Sequence, residues 1–382
     1  MKFAVNLPRI GKLERKYVND TIDSNWLSSN GYHTKIFEQK ISKYLNRKYA
    51  IAVQSGTAAI HAALKACDIS SKDAVVTPNY SCISNLSCIN QLNAKKIIVE
   101  IENETLGLDF KEFKIAWKKF RPKVVQIVHV YGHPARDTLK IINFCKNKKI
   151  KIIEDASESL GAKIGKNKVG SFGDISVFSV RSEKMIGCGE GGVILTNNKK
   201  LFEKLKLICS RHAPFRHKSD PYWKKYFING EGYNYLMPHL LGAVSRAQIE
   251  KFEKEILSKK INVGKIYRKI FTESDQYQFV PRLIKNTKPV FWLNAIYLKN
   301  LSKSKVRNLG YFLQKKNIEV RSGFWPLNKL NYFKSFYVNS QKKSVTSNIF
   351  DKILVLPSNS NLKRNDIKFI KKEIDLYLKK NL

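Results

Sequence analysis

Acidic residues are scarce in this chain: 31 Asp and Glu stand against 70 Lys and Arg, a formal net charge of +39. No basic tail, zinc finger or aromatic-rich RNA motif accompanies the excess. The lysines run mostly singly or in pairs from Lys2 to Lys380, so solvated lysine faces account for them and no nucleic-acid partner is expected. Small anions would still be drawn into any cleft of so positive a molecule. No apolar run approaches membrane-spanning length, and "MKFAVNLPRI" lacks the apolar core of a signal peptide, so no membrane partner is expected. The six cysteines (Cys67, Cys82, Cys88, Cys145, Cys188, Cys209) are scattered without CxxC spacing and suggest neither a disulfide framework nor a zinc site. They fit a reducing, cytoplasmic setting, with no metal.

What is present is an ordinary globular balance, 43% apolar and 26% charged, over 382 residues, enough for two domains. Strand-like runs at 49–55, 73–78, 95–101, 123–130, 149–155, 174–180 and 191–197 are short and apolar, as expected for strands covered on both faces. Helix-like stretches such as 57–67 and 138–148 fall between them, which predicts an α/β fold with a mostly parallel central sheet and helices on both faces. Further on, a long polar and aromatic loop (210–238) reads as functional, and a helical segment spans 242–271. Strands at 290–298, 318–324 and 353–358 predict a smaller α+β domain. The expected division is 1–245 and 246–382.

In parallel sheets ligands bind beyond the carboxyl ends of the strands, so those ends are the places to look for chemistry. The first carries "QSGTAAIHAAL": Ser55, Gly56 and Thr57 open a helix whose free amides suit a phosphate, or merely cap it. The second is "IIEDASESLGA", where Asp155, followed by Glu158, can keep a ring nitrogen protonated or cap the next helix. The third, "FSVRSEKMIGCGEGGVILTN", offers the Ser179 hydroxyl and places Lys184 before a glycine cluster, as an amine for an aldehyde or as an exposed turn lysine. Phosphate cradle, pyridinium partner and Schiff-base lysine are the contacts that pyridoxal phosphate requires of a protein, and they occur here together.

With these residues in place the chain resembles the DegT/DnrJ/StrS-type sugar aminotransferases, most of all the GDP-perosamine synthase branch. The motifs that carry it are "SGTAAIHAAL", "HVYGHPARD", "IIEDASESLGA", "GSFGDISVFS", "KMIGCGEGG" and "GYNY". The resemblance implies the fold-type I architecture and pyridoxal phosphate as cofactor. It makes Lys184 the residue bonded to the cofactor aldehyde, Asp155 the partner of the ring nitrogen and Glu158 the neighbour of the ring hydroxyl. Gly56, Thr57 and Ser179 become phosphate contacts, and Asn234 reaches the phosphate of a neighbouring subunit in a homodimer. Ser29, Gly31 and Arg321 fall on the substrate side. The implied reaction takes an amino group from glutamate to a 4-keto-6-deoxy sugar on a nucleotide diphosphate, for surface polysaccharide. Alternatives are a UDP- or dTDP-linked 3- or 4-keto sugar, or a non-catalytic regulatory or binding protein of the same fold.

Some positions depart from the family pattern. Cys82 stands where relatives carry an aromatic lid over the cofactor, with Tyr80 a possible substitute. Leu236, Met237, Pro238 and His239 follow "GYNY" where an Arg-Met-Thr-Asn run is usual, and Asn328 replaces a histidine. Outside the resemblance, His129 and His133 read as pocket or packing residues and Cys188 as packing.

Overall fold

A computed structural model describes residues 3–215 and 219–381; positions 216–218 of the expected functional loop lie outside the described residues. The first strands are β1 (Tyr49–Val53), β2 (Ala74–Pro78), β3 (Lys95–Val99), β4 (Val124–Val128) and β5 (Lys151–Asp155). Next come β6 (Lys163–Ile164), β7 (Asn167–Lys168), β8 (Ile175–Ser179), β9 (Gly192–Thr196), β10 (Tyr277–Val280) and β11 (Thr287–Lys288). The last are β12 (Asn294–Leu298), β13 (Arg321–Ser322), β14 (Phe336–Val338) and β15 (Ile353–Leu356).

The large sheet has the order β1-β9-β8-β5-β4-β2-β3-β14. Its pairings are parallel except for those of β9, which runs antiparallel to both β1 and β8. The parallel strands therefore deliver their carboxyl ends, and Ser55, Asp155 and Ser179 with them, to one edge of the sheet. Residues of β2 and β4 are buried throughout, which is why these strands read as continuous apolar runs rather than alternations.

Helices α1 (Lys12–Asp23), α2 (Tyr32–Tyr44), α3 (Gly56–Ala66), α4 (Ser84–Gln91), α5 (Phe110–Phe120), α6 (Thr138–Lys148) and α7 (Lys199–Cys209) belong to the first half. The helical segment expected at 242–271 is α8 (His239–Glu250), a π-helical stretch (Phe252–Leu257) and α9 (Ser258–Ile270). A smaller sheet, β10-β12-β15-β13, forms the C-terminal α+β unit. Its β12 and β13 are shorter than the runs expected at 290–298 and 318–324; of the flanking residues, Trp292, Leu293 and Phe324 line the site described below and Ile318 bridges to Phe3. The boundary expected at 245/246 falls inside α8, and β14 returns from the C-terminal region to the edge of the large sheet. We propose two units centred on the two sheets, with β14 bridging them. Among the described residues no helix is long and apolar enough to cross a membrane.

One buried ionic cluster secures the middle of the large sheet. Glu154 on β5 accepts hydrogen bonds from the amides of Gly170 (2.7 Å), Phe172 (2.8 Å) and Gly173 (2.9 Å) and lies 3.2 Å from His129 Nε2. Arg47 donates to the carbonyls of Gly170 and Gly173 in the same loop. Burial would raise the Glu154 pKa, but His129 and the amides hold it below the ordinary carboxylate value. Its contribution is therefore present at neutral pH and lost as pH falls through that lowered value. Glu154→Gln should cost about 2 kcal/mol at pH 7, and the gap should close in acid. Urea midpoints that match at pH 7 would contradict this.

Candidate active site

The α3 cradle is built by close approach of three backbones. Ser55 caps the helix, its Oγ accepting the Ala58 amide at 3.0 Å. The Gly56 and Thr57 amides fall in the first turn, where a helix has no acceptor of its own to offer. A Cβ on Gly192 of β9 would sit 2.5 Å from the Ser55 carbonyl oxygen and 2.9 Å from the Gly56 nitrogen, so only glycine lets β9 pass. Gly56 packs against Ser179 at the end of β8, and the Thr57 hydroxyl shares a 2.9 Å hydrogen bond with Ser84.

Asp155 ends β5 and is 4% exposed. The helix-cap alternative does not apply, because turns rather than a helix occupy 156–162. Instead Asp155 Oδ1 accepts the Ser157 amide at 3.1 Å and Oδ2 accepts Asn85 Nδ2 at 2.9 Å. Glu158 is also buried; its Oε2 accepts the Tyr131 amide at 2.9 Å and its Oε1 meets Lys184 Nζ at 3.2 Å. Burial raises the Glu158 pKa, and the Lys184 charge and Tyr131 amide oppose the rise without cancelling it.

Lys184 is not the exposed turn lysine that composition alone would suggest. It sits in a turn closed by its amide and the Arg181 carbonyl at 2.8 Å, with its side chain only 12% exposed. Its Nζ lies 3.9 Å from the centroid of the Trp292 ring, a cation–π distance. At the mouth, Arg321 donates to the Glu183 carboxylate at 2.7 Å, and Arg181 to Glu190 at 2.9 Å. Burial would raise the Glu183 pKa, but Arg321, Lys184 and Arg181 pull it below the ordinary range.

A cavity of about 300 Å³ joins these groups. Gly56, Thr57, Asp155, Glu158, Ser179, Lys184 and Arg321 all line it. Ser29, Gly31 and Asn234 do not. Ser29 accepts the Trp26 indole N–H through its carbonyl at 3.1 Å, Gly31 lies tight against the His239 ring, and the exposed Asn234 forms a β-bridge with Ser210.

Tyr80 does not serve as a lid. It is fully buried, its hydroxyl shared with Tyr131 at 2.8 Å and accepting the Phe324 amide at 3.1 Å. Cys82, which is exposed, does line the cavity, whose aromatic wall comes from Tyr131, Trp292 and Phe324. The residues after "GYNY" hold backbone: Leu236 bridges to Val53, the Met237 amide donates to Ala52, and His239 accepts the His33 amide at 3.0 Å. Asn328 likewise donates its amide to Asn79 Oδ1. His129, His133 and Cys188 are buried away from the cavity; burial pushes the Cys188 thiol up to about 12.

Sequence reasoning missed Asn85, Tyr131 and Trp292. The "VYGHP" turn carried a signal for Tyr131, since it and Gly132 both have positive φ, +54° and +92°. Asn85 and Trp292 had none, because only the tertiary fold brings them to Asp155 and Lys184. The donor set fits pyridoxal phosphate: free amides and hydroxyls for a phosphate, a buried carboxylate for a ring nitrogen and a buried amine for an aldehyde. Asn85 Oδ1, buried and without a hydrogen-bond partner among the described residues, leaves further polar capacity beside Asp155. Asn85→Leu should destabilise the fold by about 2 kcal/mol, since it leaves the Asp155 carboxylate with a single donor. An unchanged urea midpoint would show that Asn85 does not hold Asp155.

Comparison with known proteins agrees with this geometry. The DegT/DnrJ/EryC1/StrS aminotransferase family matches residues 8–375. GDP-perosamine synthase of Escherichia coli O157:H7 is 31% identical over 96% of both chains, and that of Vibrio cholerae 32% identical over 85% of both. Among solved structures, Helicobacter pylori PseC, an aminotransferase involved in the biosynthesis of pseudoaminic acid, superposes with a TM-score of 0.88. It is 22% identical and the match covers 99% of each chain, which shows the shared fold. The chain belongs to the DegT/DnrJ/EryC1/StrS aminotransferase family, with the fold-type I architecture and pyridoxal phosphate as its cofactor.

Proposed function

We propose that the protein transfers an amino group from glutamate to the keto carbon of a 4-keto-6-deoxy sugar carried on a nucleotide diphosphate, as its GDP-perosamine synthase relatives suggest. The observation that carries this reading is the single cavity shared by the α3 cradle, Asp155, Glu158 and Lys184, with Arg321 at its mouth. The product would feed surface polysaccharide.

In this reading the amides of Gly56 and Thr57 and the hydroxyls of Thr57 and Ser179 bind the phosphate. Asp155, oriented by Asn85 and Ser157, keeps a proton on the ring nitrogen. Pyridoxal phosphate, when bound, supplies the electron sink for deprotonation of the amino carbon. Glu158 lies beside the ring hydroxyl. The Lys184 amine would hold the cofactor aldehyde and, with an amino substrate in its place, would carry the proton to and from the reacting carbon. Glutamate leaves as 2-oxoglutarate before the keto sugar enters, so the two substrates use one site in turn. Arg321 exchanges its contact with Glu183 for an anionic group of the substrate. The proposed active unit is a homodimer. In that dimer the exposed Asn234 would reach the phosphate of the neighbouring subunit, and Ser29 and Gly31 would lie on the substrate side.

Lys184→Ala should lower amino transfer by about 10³-fold or more, followed as 2-oxoglutarate release and amino-sugar product. Parental turnover in that variant would overturn the mechanism. Keto sugars on GDP, UDP and dTDP, offered in parallel, decide the nucleotide. Activity confined to UDP or dTDP sugars would replace the proposed substrate, and activity with none of the three would favour the non-catalytic alternative.

A further inference from the structure

A second lysine, buried beneath the site, has no part in the mechanism above. Lys260 on α9 is 2% exposed. Its Nζ donates to Asn6 Oδ1 at 2.7 Å, to the Trp292 carbonyl at 3.0 Å and to the Ser358 carbonyl at 2.5 Å. No carboxylate pairs with it among the described residues. An ammonium has three N–H groups, and here each has one oxygen. Burial pulls the Lys260 pKa down to about 7, so the arrangement carries a desolvation cost that an apolar side chain would avoid.

The hydrogen bonds continue from Lys260 to the residue next to Lys184. Asn6 Nδ2 donates to the Glu183 carbonyl at 2.5 Å, and the Trp292 indole Nε1 donates to the same oxygen at 2.6 Å. The path therefore closes: Lys260 Nζ, Asn6, the Glu183 carbonyl, the Trp292 indole, the Trp292 carbonyl and back to Nζ. One side of this ring fixes the peptide entering Lys184, and the other fixes the aromatic face 3.9 Å from the Lys184 amine. Trp292 is 3% exposed, so the platform has little room to shift while the ring is intact.

We propose that Lys260 is a positioning residue that holds Trp292 and the Glu183 peptide so that the Lys184 amine is aimed at the cofactor aldehyde. The proposal rests on the reading of Lys184 given above. It separates two parts of cofactor binding: the phosphate and ring contacts, which do not involve Lys260, and the condensation of the amine with the aldehyde, which releases water and depends on aim.

The test compares affinity for pyridoxal phosphate with affinity for 4′-deoxypyridoxine phosphate, which keeps ring and phosphate but has no aldehyde. The parent protein should prefer pyridoxal phosphate. In Lys260→Met that preference should fall by about tenfold, with affinity for the deoxy analogue held to within about twofold. Equal weakening of both ligands would mean a structural role only, and no change in either would mean no role; both overturn the proposal. A parent protein without the preference would overturn the Lys184 reading and this one with it. Should Lys260→Met fail to fold, Asn6→Leu breaks the same ring at another point, and the same ratio decides.

Discussion

A primary amine held 3.2 Å from a buried carboxylate and 3.9 Å from an indole face is the contact around which the site is organised. Neither partner alone would hold Lys184 inward. An exposed Lys–Glu pair is worth little, but at 12% and 7% exposure the charges are poorly screened and the indole face adds its own attraction. The Glu158 carboxyl carries the cost, its pKa raised by burial. What offsets part of that cost is the Lys184 charge and, after it, the Tyr131 amide, presented by a backbone that turns through positive φ at Tyr131 and Gly132. A turn after β4, a turn after β5 and a turn after β8 thus converge on one amine.

Much of this was legible in the sequence because it is local. Ser55-Gly56-Thr57, Asp155 and Lys184 each announce themselves by following an apolar run. The parallel sheet then guarantees that residues after successive strands meet at one edge. The glycines around Lys184 were also meaningful, since Gly192 marks where β9 passes the α3 cradle. Other features depend on contacts distant in sequence and left no local trace. Trp292 reaches Lys184 from the C-terminal unit, Asn85 reaches Asp155 from α4, and β14 returns to an edge of the large sheet. Glu154 was hidden for a different reason: a carboxylate inside an apolar run looks like a strand-end residue. The amides of Gly170, Phe172 and Gly173 that satisfy it come from a loop with no pattern of its own.

The charge of the chain and the character of its cavity are separate matters. Most of the lysines face solvent, while the mouth of the cavity balances Arg181 and Arg321 against Glu183 and Glu190. These arginines are therefore already paired, and an anionic substrate must compete with carboxylates for them. Such competition favours a ligand with more than one negative charge, as a nucleotide diphosphate has. The departures at Leu236, Met237, His239 and Asn328 hold backbone in this chain, and none of them lines the cavity. Cys82 is the one that does line it, and it leaves the aromatic wall to Tyr131, Trp292 and Phe324.

Borohydride reduction of the pyridoxal-phosphate-loaded protein, followed by peptide mapping, tests the central claim most directly. Reduction makes the link between amine and aldehyde permanent, so the label records which of the many lysines was aimed at it. The account expects a single pyridoxyl group on the peptide that contains Lys184. A label spread over surface lysines, or fixed on a different one, would contradict it.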